Sequence, residues 1–238
     1  MKKTKLFLLP FAGGNRHSYQ FMIPQLTSHF EVIPVELPGR GKRMDEPLLT
    51  NFNDASLDYY TQITQKLDAN NFMIYGHSLG ALLGFHTAGM LQDSGTPPIY
   101  LFVSGSAGPE NIERKNRHLL SHHAFLEELR SMGGMPQGVL ENYELIQYFE
   151  PILRSDFELV ESYPNEKFPA RLEIPICALM GNKEKHVEQI SSWKSTTKSA
   201  FDYKIFHGDH FFIRDHIQSI VSVIRDRSQC AAKKESIY

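Results

Sequence analysis

Cysteine is scarce in this chain: two residues in 238. Cys177 falls in an apolar stretch and Cys230 in a polar one. They suggest neither a disulfide framework nor a thiolate metal site, and a reducing, cytoplasmic setting is expected. Long apolar runs are also missing. None approaches the roughly 20 residues of a membrane span, so no association with a membrane is expected. The opening MKKTKLFLLPFAGG imitates a secretory leader, but its apolar run is short and stops at Pro10. It reads as a first β-strand instead. There is no excess of one charge: 25 Lys and Arg stand against 27 Asp and Glu, a net charge of -2. With no basic stripe, nucleic acid is not an expected partner. Internal repeats and low-complexity linkers are absent too. What remains is a length that suits one α/β domain with room for an inserted subdomain and a sizeable core.

The most informative stretch is FMIYGHSLGALLG, from Phe72 to Gly84. An apolar run ends at Gly76, and a helix-forming run starts after Ser78. This is G-x-S-x-G between a strand and a helix, the context a nucleophile elbow requires. The turn around Ser78 must be so tight that side chains two positions either side would collide, hence Gly76 and Gly80. The first N–H groups of the following helix point toward the serine, where the helix dipole favours negative charge. That of Leu79 is a candidate oxyanion donor.

Along the chain, Lys5 to Phe11 reads as a strand, and Ala12-Gly13-Gly14 follows it. A glycine pair there lets backbone approach a ligand closely. In α/β-hydrolases an N–H from an early strand-to-helix loop joins the one after the nucleophile. Ala12 is the candidate donor, with Phe11 next. Helix is expected from about Ser18 to His29, strand over Glu31 to Leu37, then the turn Pro38-Gly39-Arg40-Gly41, where Arg40 or Arg43 can meet an acidic partner. Helix is expected again over Asn53 to Leu67, capped by Asn51 or Asn53. A strand follows at Ile99 to Val103.

Between about 111 and 163 the strand-like runs stop. Three helical pieces are read there, His118 to Met132, Val139 to Phe149 and Ile152 to Glu161, the first two divided by Gly133-Gly134 and Pro136. This is too long for a simple crossover, and an inserted helical lid is the economical reading. Leu126, Leu129, Met132, Met135 and Leu140 are expected mostly in the lid's own core. Strand returns at Ile174 to Met180, then a helix over Val187 to Lys198, a strand over Phe201 to Phe206 and a helix from Asp215 to Arg225. A polar, flexible tail is expected over 227–238. The alternation of strands and helices implies an α/β fold, a mostly parallel sheet flanked by helices.

A serine hydroxyl needs a base, and in this architecture the base comes last in the chain, after an acid. Of eleven histidines, His210 lies just past the last strand, at the edge where open α/β sheets bind ligands. His207 is the runner-up, and His77 cannot fold back onto Ser78. The acid belongs on the loop after the penultimate strand, Gly181 to His186. Glu184 is its only carboxylate, and glutamate serves in such triads. Asp156 competes for this role.

These residues resemble a known family, the type II thioesterases that edit nonribosomal peptide and polyketide synthesis. The likeness rests on PFAGG at Pro10 to Gly14, VELPGRG at Val35 to Gly41, GHSLG at Gly76 to Gly80 and LFVSG at Leu101 to Gly105. It continues with MGGMP at Met132 to Pro136, LRSDFELVESY at Leu153 to Tyr163 and HFF at His210 to Phe212. The resemblance implies an α/β-hydrolase with a helical lid, acting as a monomer with neither metal nor cofactor. Its implied substrate is an acyl thioester on the phosphopantetheine arm of a carrier-protein domain, cleared when a synthase is misprimed or stalled. Ser78 matches the family nucleophile, His210 the base, and Ala12 with Leu79 the oxyanion donors. The chain departs from the family in having Glu184 where aspartate is usual. Two other readings stay open: a small-molecule carboxylesterase or lipase with the same triad, and a catalytically silent binding protein.

Overall fold

The computed structural model describes residues 3–67, 71–132, 137–164 and 171–235. Six strands make one sheet: β1 (Lys5–Leu9), β2 (Glu31–Pro34), β3 (Phe72–His77), β4 (Tyr100–Ser104), β5 (Ile176–Gly181) and β6 (Phe201–Phe206). Every pairing is parallel, in the order β2-β1-β3-β4-β5-β6. The helices are α1 (Ile23–Leu26), α2 (Phe52–Thr64), α3 (Leu79–Asp93), α4 (His122–Met132), α5 (Gln137–Leu140), α6 (Tyr143–Glu161) and α7 (Ile217–Glu235).

The central strands are apolar on both faces because helices cover both. Successive side chains point to opposite sides, and the two cores divide accordingly. Phe7, Leu9, Phe72 and Ile74 join one core with residues of α2 and α3. Leu6, Leu8, Met73 and Tyr75 join the other, with residues of α1 and α7. A third, smaller core lies among α4, α5 and α6 and unites Phe125, Leu129, Leu140, Ile146, Leu153 and Phe157.

The sheet order positions the site. The chain leaves β1 for β2 on one side and returns to β3 on the other, so the strand order reverses at β1. Ligands bind in such sheets at the carboxyl ends of the strands flanking that reversal. Leu9 pairs with Gly76 at the ends of β1 and β3. The loop after β1 and the elbow after β3 therefore emerge side by side.

The structure differs from the sequence reading at several elements. The expected helix over Ser18 to His29 is a run of turns with only the four residues of α1 helical. The expected helix after β5 is a 3-10 helix, Val187–Thr196. In the segment read as a lid, the two pieces expected over Val139 to Phe149 and Ile152 to Glu161 form one helix, α6, which runs through Pro151. The Gly133-Gly134 and Pro136 divide, and Met135, lie outside the described residues. Met132 is exposed rather than part of the lid core, whereas Leu129 and Leu140 are buried. In the tail, α7 continues to Glu235. Its later residues are good helix formers, and Arg227 pairs with Asp202 of β6. Among the described residues no helix is long and apolar enough to cross a membrane.

Candidate active site

Ser78 sits between β3 and α3 with φ 57° and ψ -117°. A non-glycine residue in this region stores strain, which a surrounding structure must hold in place. The holding contacts are backbone ones. The Ser78 N–H donates to the Ser104 carbonyl at 2.7 Å, and the Ser78 carbonyl accepts from Ala81 N–H at 2.9 Å. A Cβ at Gly76 would lie 2.0 Å from the Gly80 carbonyl oxygen, and one at Gly80 would lie 2.2 Å from that of Leu9. Both positions need glycine because backbone fills the space. The Ser78 side chain makes no capping bond to the helix it precedes.

His210 follows β6. Its Nδ1 lies 2.7 Å from Glu184 Oε2, and the Glu184 side chain is nearly buried. The other carboxylate oxygen, Oε1, accepts the Gly181 N–H at 2.7 Å. The two loops that carry this pair are laced together. Asn182 N–H donates to Phe206 O at 2.7 Å and Lys183 N–H to Gly208 O at 2.9 Å. Gly208 N–H returns to the Asn182 side chain at 2.9 Å. The Glu184 loop is also tied to the segment after β4, since Glu113 pairs with both Lys185 and His186. Hydrogen bonds from Lys185 and His186 hold the Glu113 carboxyl down to about 2.

His207 is exposed, and its carbonyl oxygen accepts from the His216 ring. His77 is buried, with Nδ1 3.0 Å from Ser104 Oγ. Its ring packs 4.9 Å from that of His210. Burial, reinforced by the neighbouring His210, pushes the His77 imidazole well below the usual histidine range. Phe11 and Phe211 meet edge to face at 5.0 Å beside these rings.

In the loop after β1, Gly14 N–H donates to Phe11 O at 2.8 Å. Gly13 N–H donates to Asp156 Oδ2 at 2.6 Å. The N–H groups of Ala12 and Leu79 are spent on no backbone carbonyl among the described residues. Asp156, the rival acid, thus reaches this loop. It is fully buried on α6 in a two-pronged ion pair with Arg40, at 2.6 and 2.8 Å. Arg43, the other arginine of that turn, pairs with Asp58 and Glu46. Burial works against the Arg40 charge, yet Asp156 beside it keeps its pKa above the ordinary value. The sequence reading missed this pairing, although both residues lay in motifs it had singled out. Among the described residues no three metal-ligating side chains cluster.

The arrangement is a serine on a strained turn, an imidazole held by a carboxylate, and the Ala12 and Leu79 N–H groups on the neighbouring turn and helix start. Such a set suits acyl transfer through a serine ester.

Comparison with known proteins agrees with this chemistry. Residues 4–228 match the thioesterase domain family. Gramicidin S biosynthesis protein GrsT of Aneurinibacillus migulanus is 34% identical over 215 residues, which cover 89% of this chain and 83% of that protein. Thioesterase PikA5 of Streptomyces venezuelae is 30% identical, over 94% of this chain and 80% of its own. Among solved structures, ClbQ from the colibactin NRPS/PKS pathway superposes with a TM-score of 0.90 at 29% identity, covering 97% of this chain and 99% of that one. The type II thioesterase BorB from the borrelidin biosynthetic cluster gives 0.86 at 27% identity, covering 95% and 93%. The chain thus belongs to the thioesterase family, as an α/β-hydrolase of acyl thioesters whose fold is that of the type II enzymes.

Proposed function

We propose that this protein is an editing type II thioesterase that removes acyl groups from the phosphopantetheine arms of carrier-protein domains in a nonribosomal peptide or polyketide synthase. The observation that carries the reading is the Glu184–His210 contact at 2.7 Å beside a strained Ser78 elbow. A carboxylate can only accept, so Nδ1 of His210 carries the proton of that bond, and Nε2 is left as the base. Ser78 Oγ attacks the thioester carbonyl and gives its proton to Nε2. The N–H groups of Ala12 and Leu79 stabilise the tetrahedral oxyanion. Collapse breaks the C–S bond, and His210 returns the proton to the departing thiolate. Water, deprotonated by His210, then hydrolyses the serine ester. Glu184 holds the ring in its tautomer and stabilises the imidazolium.

On this reading the whole chain is one hydrolase domain with residues 111–163 as its lid, working as a cytoplasmic monomer. Acyl release from several acylated carrier proteins, followed by mass spectrometry beside the matching simple oxygen esters, tests it. Preferential release from the carrier proteins is expected. Faster cleavage of the oxygen ester would make the protein a carboxylesterase, and absent Ser78 labelling by a fluorophosphonate would make it a silent binder.

A further inference from the structure

We infer that Arg40 and Asp156 are positioning residues that fix the loop carrying the Ala12 N–H, so that the seating of α6 completes the oxyanion hole. This rests on the reading of Ala12 as an oxyanion donor.

Phe11 to Gly14 form a tight turn. Gly14 N–H closes it onto Phe11 O, and Gly13 at the third position has φ 74°. A positive φ there is the mark of a type II turn, in which the middle peptide is flipped relative to the commoner type I. The Phe11 carbonyl and the Ala12 N–H share one trans peptide and point in opposite directions. Holding the carbonyl on Gly14 therefore aims the Ala12 N–H away from the turn. The flipped middle peptide presents the Gly13 N–H, and Asp156 takes it at 2.6 Å. Asp156 thus grips the group that distinguishes this turn from its alternative.

Asp156 is itself aimed by Arg40. Both oxygens are engaged by the guanidinium fork, and Arg40 also reaches the Gly14 carbonyl at 3.4 Å. Arg40 is 2% exposed and Asp156 0%. A buried ion pair contributes little net stability because desolvation offsets the attraction. Its fork geometry does impose direction, which is what an N–H donor of fixed aim requires. Helix α6 adds a second contact one turn earlier. A Cβ at Gly13 would lie 2.8 Å from Leu153 Cδ2. Helix α6 therefore rests on the oxyanion loop through both a packed leucine and a charged hydrogen bond. Without them the turn loses both of its anchors to α6 and can shift as a unit, carrying the Ala12 N–H off its aim.

The test uses the full-length protein, a small acyl-N-acetylcysteamine thioester, and an alkylboronic acid, which forms a tetrahedral anion on a serine. Loss of one oxyanion donor costs about 10²- to 10³-fold in kcat, and a misaimed donor less. Asp156→Asn should lower kcat by about 10- to 100-fold, leave KM within about threefold, and weaken boronate inhibition by the same factor as kcat. Arg40→Lys keeps the buried charge but loses the fork, and should show a smaller loss of the same pattern. If Asp156→Asn does not fold, Arg40→Lys decides alone. The inference is overturned if kcat holds, if KM takes the loss, or if kcat falls while boronate affinity does not. Failure of the underlying site reading looks different: wild-type boronate inhibition would then survive Ser78→Ala.

Discussion

The carboxylate of Glu184 divides its two oxygens between the Gly181 N–H and His210 Nδ1, both at 2.7 Å. The extra methylene of glutamate lets a residue three positions past the end of β5 fold back on that strand and still reach the histidine. One oxygen fixes the side chain and leaves the other to orient the ring.

Glu184→Gln keeps the shape and removes the charge. Turnover of an acyl thioester should fall, by up to ~10⁴-fold if the analogy with the serine-protease aspartate holds in full. Glu184→Asp should retain partial activity, because the carboxylate survives but falls short. Both should keep the wild-type circular dichroism. In proton NMR, the Nδ1–H signal of His210 should shift in Glu184→Gln and persist in Asp156→Asn. A Glu184→Gln enzyme within a few-fold of wild type would mean that Ser78 and His210 work without this acid.

Much of this arrangement was legible in the sequence, for reasons that are local. The four inner strands announce themselves as apolar runs because both faces of the sheet are covered there, and the elbow is visible because only glycine fits at positions 76 and 80. Glu184 stood out as the sole carboxylate of its loop. The illegible parts depend on contacts distant in the chain. Arg40 and Asp156 are 116 residues apart, and no local pattern pairs them. From the sequence alone Asp156 therefore stands as a second candidate acid beside Glu184. The sequence reads as two helical pieces over Val139 to Phe149 and Ile152 to Glu161, yet tertiary packing carries α6 through Pro151 between them. The residues after Asp226 looked like a polar tail, and the anchor that holds them, Asp202, lies on β6.

The strain at Ser78 has a measurable consequence. Ser78→Ala keeps a Cβ at φ 57° and should leave the melting temperature near wild type while abolishing acyl-enzyme formation. Ser78→Gly removes the steric conflict at the same loss of activity. Relief of about 1–3 kcal/mol of strain outweighs the roughly 0.5–1 kcal/mol entropic cost of glycine. Thermal melts should therefore rank Ser78→Gly above Ser78→Ala. The reverse order would show that the elbow is unstrained.

His77 sets an acid limit on stability. Its imidazole stays neutral in the folded protein well below the ordinary histidine range, whereas the unfolded chain takes up a proton near pH 6.5. Below that pH the unfolded state binds the extra proton, so stability falls as pH falls, by about 1.4 kcal/mol per pH unit. His86, held down to about 4 by burial, steepens the decline between pH 6.5 and 4. Urea unfolding between pH 7.5 and 5.5, above most carboxylate titrations, should show this slope. A flat profile would mean that His77 protonates in the folded state.

The lid should move in part, with its dividing line inside α6. The second half of this helix is held by the body of the protein. Ser155 Oγ donates to Leu49 O at 2.6 Å, Asp156 meets Arg40, and Leu159 is buried in the main core. The first half and α4 pack into the small third core, which Leu153 and Phe157 of the second half complete, and they leave Met132, Tyr143, Leu145 and Tyr148 exposed. Between the halves, Pro151 supplies no N–H to the helix, so one rung of the hydrogen-bond ladder is missing where a bend costs least. Local stability follows such differences in burial and hydrogen bonding. Amides in 123–132 and 144–150 should exchange with deuterium faster than those in 153–161, which should approach the protection of β3. Adding an acylated carrier protein to Ser78→Ala should change exchange in the first group and leave the second unchanged. Equal protection on both sides of Pro151, unaltered by the acylated partner, would make the lid a rigid cap.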